Sequence, residues 1–237
     1  MYQANTQTFQ DFQDYFHIQK TPWEYEKKLW KKVEKYIPPL RVIPGIVFVG
    51  VGNSLSMNAC HKESDIDLFI ITKKNRLWMV RILVTLYFSL LGQRKTSRKH
   101  AGKFCLSFFV TEDALDFWGF AIENDIYLYF WILHLKPLID KGNTYNNFLQ
   151  ANSSWADFSL YQNMLEENTK YIFSSSEKVS KNTKIWNWIE KVLKKIFLPK
   201  TKKSSEKLGD PFGIIISDDI LKFHDRDKRK EIRDKLL

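Results

Sequence analysis

Cysteine is nearly absent: Cys60 and Cys105 are the only two in 237 residues. Two thiols exclude a disulfide framework, and their separation fits no thiolate metal cluster, so a reducing, cytoplasmic setting is expected. Long apolar runs are also missing. The nearest, LWMVRILVTLYFSLL at residues 77–91, carries Arg81 and leads into a basic loop. A helix buried on a sheet is expected there, not a membrane span. The opening MYQANTQTFQDFQDYF has neither an apolar signal core nor a basic front, so export is not expected. No segment repeats. What is present, 44% hydrophobic and 27% charged residues, excludes the disordered class and suits a well-filled core.

Positive charge is concentrated at one end. Residues 178–237 hold 17 lysines and arginines against 9 aspartates and glutamates, which accounts for most of the net +10. Such a region suits an anionic partner such as RNA, a nucleotide or an acidic surface, or else forms a solvated face.

Along the chain, Thr21-Pro22-Trp23-Glu24 reads as a capped helix start, with Leu29, Val33 and Tyr36 at helical spacing before Pro38-Pro39. Residues 46–51 form an apolar strand, Asn75 is expected to cap a helix ending near Gly92, and residues 103–110 form a third strand. Helices are expected over residues 111–121, 125–135 and 148–167, with a linker around Ser175. A basic amphipathic helix capped by Thr183 is expected to end before Pro199, with Ile185, Trp188, Ile189, Val192 and Ile196 as its apolar stripe. A short strand at residues 214–216 and a charged helix from about Asp225 complete the chain. The fold class expected is α+β, a mixed sheet flanked by helices, with residues 1–140 as one domain and a mainly helical, basic region over 141–237.

Residues 46–72, IVFVGVGNSLSMNACHKESDIDLFIIT, are where chemistry concentrates. Asp65 and Asp67 are two apart on a strand, so both carboxylates share one face while Ile66 and Leu68 point to the other. Side by side they repel, which is costly unless a cation is shared. The preceding turn Gly52-Asn53-Ser54 offers a backbone that a phosphate can approach closely, and a hydroxyl.

Strand, Gly/Ser turn, about ten residues, then Ser64-Asp65-Ile66-Asp67-Leu68 on a second strand: this order resembles the nucleotidyltransferase superfamily typified by DNA polymerase beta, and its minimal and aminoglycoside-type members in spacing. The resemblance implies a nucleotidyltransferase fold over residues 46–112. It implies that Asp65 and Asp67 bind Mg²⁺ as the catalytic pair, and that Gly52, Ser54 and Ser64 serve the phosphates of a nucleoside triphosphate. The implied reaction moves a nucleoside monophosphate from an NTP to a hydroxyl acceptor (a small molecule, protein or RNA) and releases pyrophosphate. Asn53 separates the glycine and serine that the family usually keeps adjacent.

The family's third carboxylate, mid-strand on the next strand, has no counterpart in residues 103–110. Ser107 stands in the expected place, with Glu112 and Asp113 just beyond. An inactive, nucleotide-binding regulatory protein is therefore the alternative expectation. Lys73, Lys74 and Arg76 are read either as phosphate partners or as solvated charge. His61, His100 and His134 have no zinc-type spacing, and Asp225-Arg226-Asp227 reads as a polar helix start.

Overall fold

β1 (Ile46–Val51) is buried at every position because strands cover both of its edges and helices cover both of its faces. In this computed structural model, which describes residues 2–176, 184–208, 213–224 and 227–237, seven strands form one sheet in the order β5-β4-β1-β2-β3-β7-β6. β2 (Ile66–Thr72) runs antiparallel to β1 and parallel to β3 (Phe104–Thr111). β4 (Lys136–Lys141) flanks β1 antiparallel, with β5 (Ser174–Ser176) parallel beside it. On the other side, β7 (Ile220–Phe223) pairs antiparallel with β3 and with β6 (Ile214–Ile216). The class is α+β with a mixed sheet. Strands from before and after residue 140 share it.

One face of the sheet packs Phe48, Phe69 and Phe108 against α1 (Thr6–Phe16), α5 (Ile126–His134), α6 (Thr144–Asn152) and α7 (Gln162–Thr169). The opposite face packs Val49, Val51, Leu68 and Ile70 against α2 (Glu24–Tyr36) and α4 (Leu77–Leu90). Alternate residues of β2 supply the two cores, as a strand period of two requires, while in β1 a bulge puts Val47 and Phe48 in the same one. α4 is the crossover that makes β2 and β3 parallel neighbours.

Several sequence expectations shift by physical causes visible in the fold. α2 starts two residues late, because Trp23 is the cap and its N–H donates to Glu26 Oε2 at 3.0 Å. Asn75 does not cap α4; it takes a left-handed conformation, φ 58°. The cap comes from 112 residues away, where Glu190 accepts from the Trp78 and Met79 N–H groups, both at 2.8 Å. Residues 111–121 contain only one short 3₁₀ turn, Trp118–Phe120, since Asp116 and Asn152 side chains take the N–H groups of Trp118 and Phe117. The helix expected over 148–167 breaks into α6, a 3₁₀ turn at Ser159–Tyr161, and α7.

α8 (Lys184–Ser205) continues through Pro199. The proline removes one hydrogen bond, to the carbonyl of Lys195, a residue on the exposed side of the helix where solvent has access. The buried face of α8 is Trp186, Ile189, Glu190, Leu193 and Phe197, while Ile185, Trp188 and Ile196 of the expected stripe are exposed. Glu190 sets that rotation by reaching α4. α3 (Asn53–Ser56) and α9 (Arg229–Leu236) complete the elements described. The expected cap Thr183 and the residues Asp225 and Arg226 lie outside the described residues. Among the described residues no helix is long and apolar enough to cross a membrane.

Candidate functional site

Asp65 and Asp67 lie at the N-terminal end of β2, beside the C-terminal end of β1. The two strands are tied there by the Gly52 N–H, which donates to the Asp67 carbonyl at 3.1 Å. The carboxylates share a site with the thiol of Cys105: the three ligand atoms lie within 4.8 Å of one another. Cys105 reaches this place because the β2–β3 ladder pairs it with Asp67. A register shift follows immediately, so that Phe69 pairs with Phe108. Ser107, expected to occupy the third position, is displaced by that shift to one side. Its Oγ accepts from Cys105 Sγ at 3.4 Å, and it lines a small recess shared with Asp67.

No third carboxylate joins the pair among the described residues. Glu112 and Asp113 follow Thr111, which pairs with Thr72 at the opposite end of β2. There Glu112 accepts from the Lys74 N–H and Asp113 pairs with Lys74 Nζ at 2.6 Å. Lys73, Lys74 and Arg76 lie at that same far end, about 20 Å from Asp67 at the strand rise of about 3.3 Å per residue. Arg76 bonds Asn187 Oδ1 at 2.7 Å. None of these cations faces the acids.

The charge that does face them is Lys95, whose Nζ is 2.6 Å from Asp65 Oδ2 and 3.7 Å from Cys105 Sγ. Its loop is fastened along the start of β3, where the Lys95 N–H donates to the Phe104 carbonyl at 2.9 Å. Burial works against this ammonium, but the ion pair with Asp65 and the charge of Asp67 outweigh it and raise its pKa. Burial and then repulsion from Asp65 push Asp67 up from 3.8 to about 6, with Asn53, Lys95 and Cys105 pulling the other way. Burial, with the two aspartates nearby, drives the Cys105 thiol well above its ordinary value, so it stays protonated and neutral.

Asn53, an interruption of the motif in sequence, is a junction in the structure. It adopts φ 55°, a left-handed conformation that asparagine tolerates. Its Oδ1 accepts from Trp131 Nε1 at 2.9 Å and from the Tyr127 hydroxyl at 3.2 Å, and its side chain also hydrogen-bonds Asp67. Gly52 is required by space: a Cβ there would stand 2.8 Å from Trp131 Nε1. The close approach that glycine permits is thus filled by an indole. Ser54 Oγ accepts from Cys60 Sγ at 3.6 Å, and the Cys60 N–H is held by Glu26 at 2.8 Å. Ser64 is buried; its hydroxyl accepts the His61 N–H at 3.0 Å and so orders the turn before the acids.

Two clefts reach residues that touch the acids. One, of about 220 Å³, is walled by Phe16, Phe108, Phe120, Tyr127 and Trp131 and reaches Asn53. Its buried charged groups are paired: Arg229 with Asp125 at 2.7 Å and Asp227 at 3.0 Å, and Lys222 with Asp227 at 3.3 Å, while the exposed Lys228 lines its edge. His224 lines it too, and burial holds that imidazole neutral, at about 3. The other, of about 510 Å³, lies past Lys95, Cys105 and Ser107. His61 and His100 are exposed, and His134 is buried with Nδ1 2.8 Å from the Phe130 carbonyl.

Asn53, Lys95, Cys105 and Trp131 escaped the sequence reading. Only the parallel register names Cys105, and no local pattern marks the other three. Comparison of the chain with protein-family models, with curated proteins and with solved structures finds no match.

Proposed function

We propose that this chain is a Mg²⁺-dependent nucleotidyltransferase of the polymerase-beta type, transferring a nucleoside monophosphate from an NTP to a hydroxyl acceptor. The observation that carries the reading is the pair Asp65/Asp67, set on one face of β2 where the turn after β1 opens beside it. An acid strand antiparallel to the turn-bearing strand and parallel to the next, with a helical crossover, supports the nucleotidyltransferase fold.

The donor set fits the metal in part. Two carboxylates are hard oxygen ligands of the number Mg²⁺ uses when phosphates and water complete its shell. The protonated Cys105 is soft and neutral and contributes no charge. When bound, Mg²⁺ would neutralise the acids and the triphosphate and so favour attack on the α-phosphorus.

The protein's own groups divide the remaining work. Asn53 orients Asp67 and links it to the aromatic cleft, whose lining by Phe16, Phe120, Tyr127 and Trp131 suits the flat apolar surface of a base. That cleft, walled mainly by aromatic rings and with its buried charges paired, suits a neutral base better than the phosphates. Lys95 neutralises Asp65 while no nucleotide is bound, and its half-exposed side chain has room to turn from carboxylate to phosphate.

A direct test incubates the protein with α-labelled NTPs, Mg²⁺ and candidate acceptors, alongside Asp65→Ala. Label transferred by the wild type and lost in the variant is expected; equal labelling by both removes the mechanism. One observation favours a second reading, a nucleotide-binding protein without turnover: a thiol occupies the position across from Asp67. Nucleotide binding that needs Asp67, with no pyrophosphate released under any acceptor, would select it.

A further inference from the structure

Arg81 has no ion-pair partner among the described residues. It sits midway along the apolar helix α4, and its Nη1 is fully buried with no hydrogen-bond partner among the described residues. The guanidinium carbon lies 4.3 Å from the centre of the Phe223 ring and 5.7 Å from that of Trp78. Those rings fix its plane and return part of the lost hydration, but supply no counter-charge. The charge that acts on it is another cation, Arg94; burial and that repulsion lower its pKa to about 10, so it stays charged at neutral pH. A desolvated, unpaired charge is among the costliest features a fold can carry, and a bound anion relieves it.

The surroundings match. Arg81 opens into the cleft of about 510 Å³ between the loop after α4 and the C-terminal part of α8. Arg94, Lys95 and Lys200 join it, with hydroxyls from Thr96 and Ser204, and among the described residues no carboxylate lines the space. Planar guanidinium forks plus hydroxyl donors are what phosphate oxygens select. The cleft is also within the size range of small-ligand sites. Lys95, Cys105 and Ser107 form its boundary with Asp65 and Asp67, on the β3 side of the acids and across them from Asn53 and the aromatic cleft.

We propose that this cleft is a phosphate-binding site built round Arg81, and that it receives a phosphate-bearing acceptor. The first half stands on the unpaired arginine. The second rests on the nucleotidyltransferase reading, in which the donor occupies the Asn53 side.

The test titrates the full chain with inorganic tripolyphosphate in the absence of Mg²⁺, by calorimetry and by thermal shift. Wild type is expected to bind and to gain thermal stability. Arg81→Gln should weaken binding by at least about tenfold, the scale of one lost charge-assisted contact, and should itself melt higher than wild type in anion-free buffer. The double variant Arg94→Gln/Lys200→Gln, which changes no buried group, should weaken binding similarly and serves if Arg81→Gln does not fold. Asp67→Asn should bind at least as tightly as wild type.

Absence of binding to wild type, or undiminished binding by the double variant, overturns the site. Saturating α,β-methylene NTP with Mg²⁺ separates the two sources of phosphate. Continued tripolyphosphate binding supports the acceptor assignment, and stoichiometric displacement overturns it in favour of the donor's own phosphates. Tripolyphosphate binding together with no NTP binding at all would keep the anion site and remove the nucleotidyltransferase reading.

Discussion

Cys105 stands directly across the parallel β2–β3 ladder from Asp67, its thiol hydrogen-bonded to Ser107 and 3.7 Å from the Lys95 ammonium. A carboxylate at this position would complete a three-acid cluster, and the cation to balance it is already in place. Cys105→Asp is therefore expected to tighten Mg²⁺ binding by more than about tenfold, since ligand charge count sets such affinities. A Mg²⁺ titration in the presence of NTP checks this; unchanged affinity would mean the thiol position does not face the metal.

Asp67→Asn is expected to stabilise the fold near neutral pH. Asp67's pKa is raised in the folded state, from 3.8 to about 6, so ionising it costs stability. That cost is fully present above pH 6, shrinks as pH falls, and is gone below the unfolded value of 3.8. The variant should gain about 1–2 kcal/mol at pH 7.5, allowing for solvent screening, and nothing at pH 3.5. Melting curves at the two pH values decide it.

Two buried histidines act in the opposite direction. Burial lowers His134 to about 4 and His224 to about 3, from an ordinary 6.5. Their folded pKa values are depressed, so the unfolded chain binds more protons over that interval and stability drains as pH falls from 6.5 towards 4. The loss is about 3 kcal/mol for His134, less what Asp67 returns over the same range. His134→Phe should flatten the acid limb of a stability–pH profile. An unaltered limb would show that His134 is accessible to protons in the fold.

Glu190→Ala should detach α8 from α4. It leaves the Trp78 and Met79 N–H groups without their acceptors at a buried helix start. The expected cost is about 2–3 kcal/mol, the range for losing a charged cap from buried donors. Denaturant midpoints measure it, and Glu190→Gln, which keeps one acceptor oxygen, should fall between.

The strongest sequence signals were those that needed no partner. β1, β2, β3, α4 and α5 fall within a residue or two of expectation, because mainly apolar runs of strand or helix length admit few other placements. β4 was hidden because Pro137 reads as a stop. In the sheet it sits opposite Gly50, where a register irregularity tolerates the missing N–H. α1 was hidden by its polar composition, though Phe12 is fully buried from it.

At the site, the paired aspartates were legible from spacing alone. Cys105 was not, since its place depends on a parallel register that closes over 38 residues. Arg81 was visible only as a charge that argued against a membrane span. Its meaning comes from having no counter-ion among the described residues once α8 and β7 enclose it.

The most direct measurement is equilibrium binding of each NTP, with and without Mg²⁺, to the wild type and to Asp67→Ala. Binding of at least one NTP that requires Mg²⁺ and is lost in the variant is what a nucleotide site built on Asp65 and Asp67 predicts. NTP binding that ignores both Mg²⁺ and Asp67, or no NTP binding at all, would contradict it.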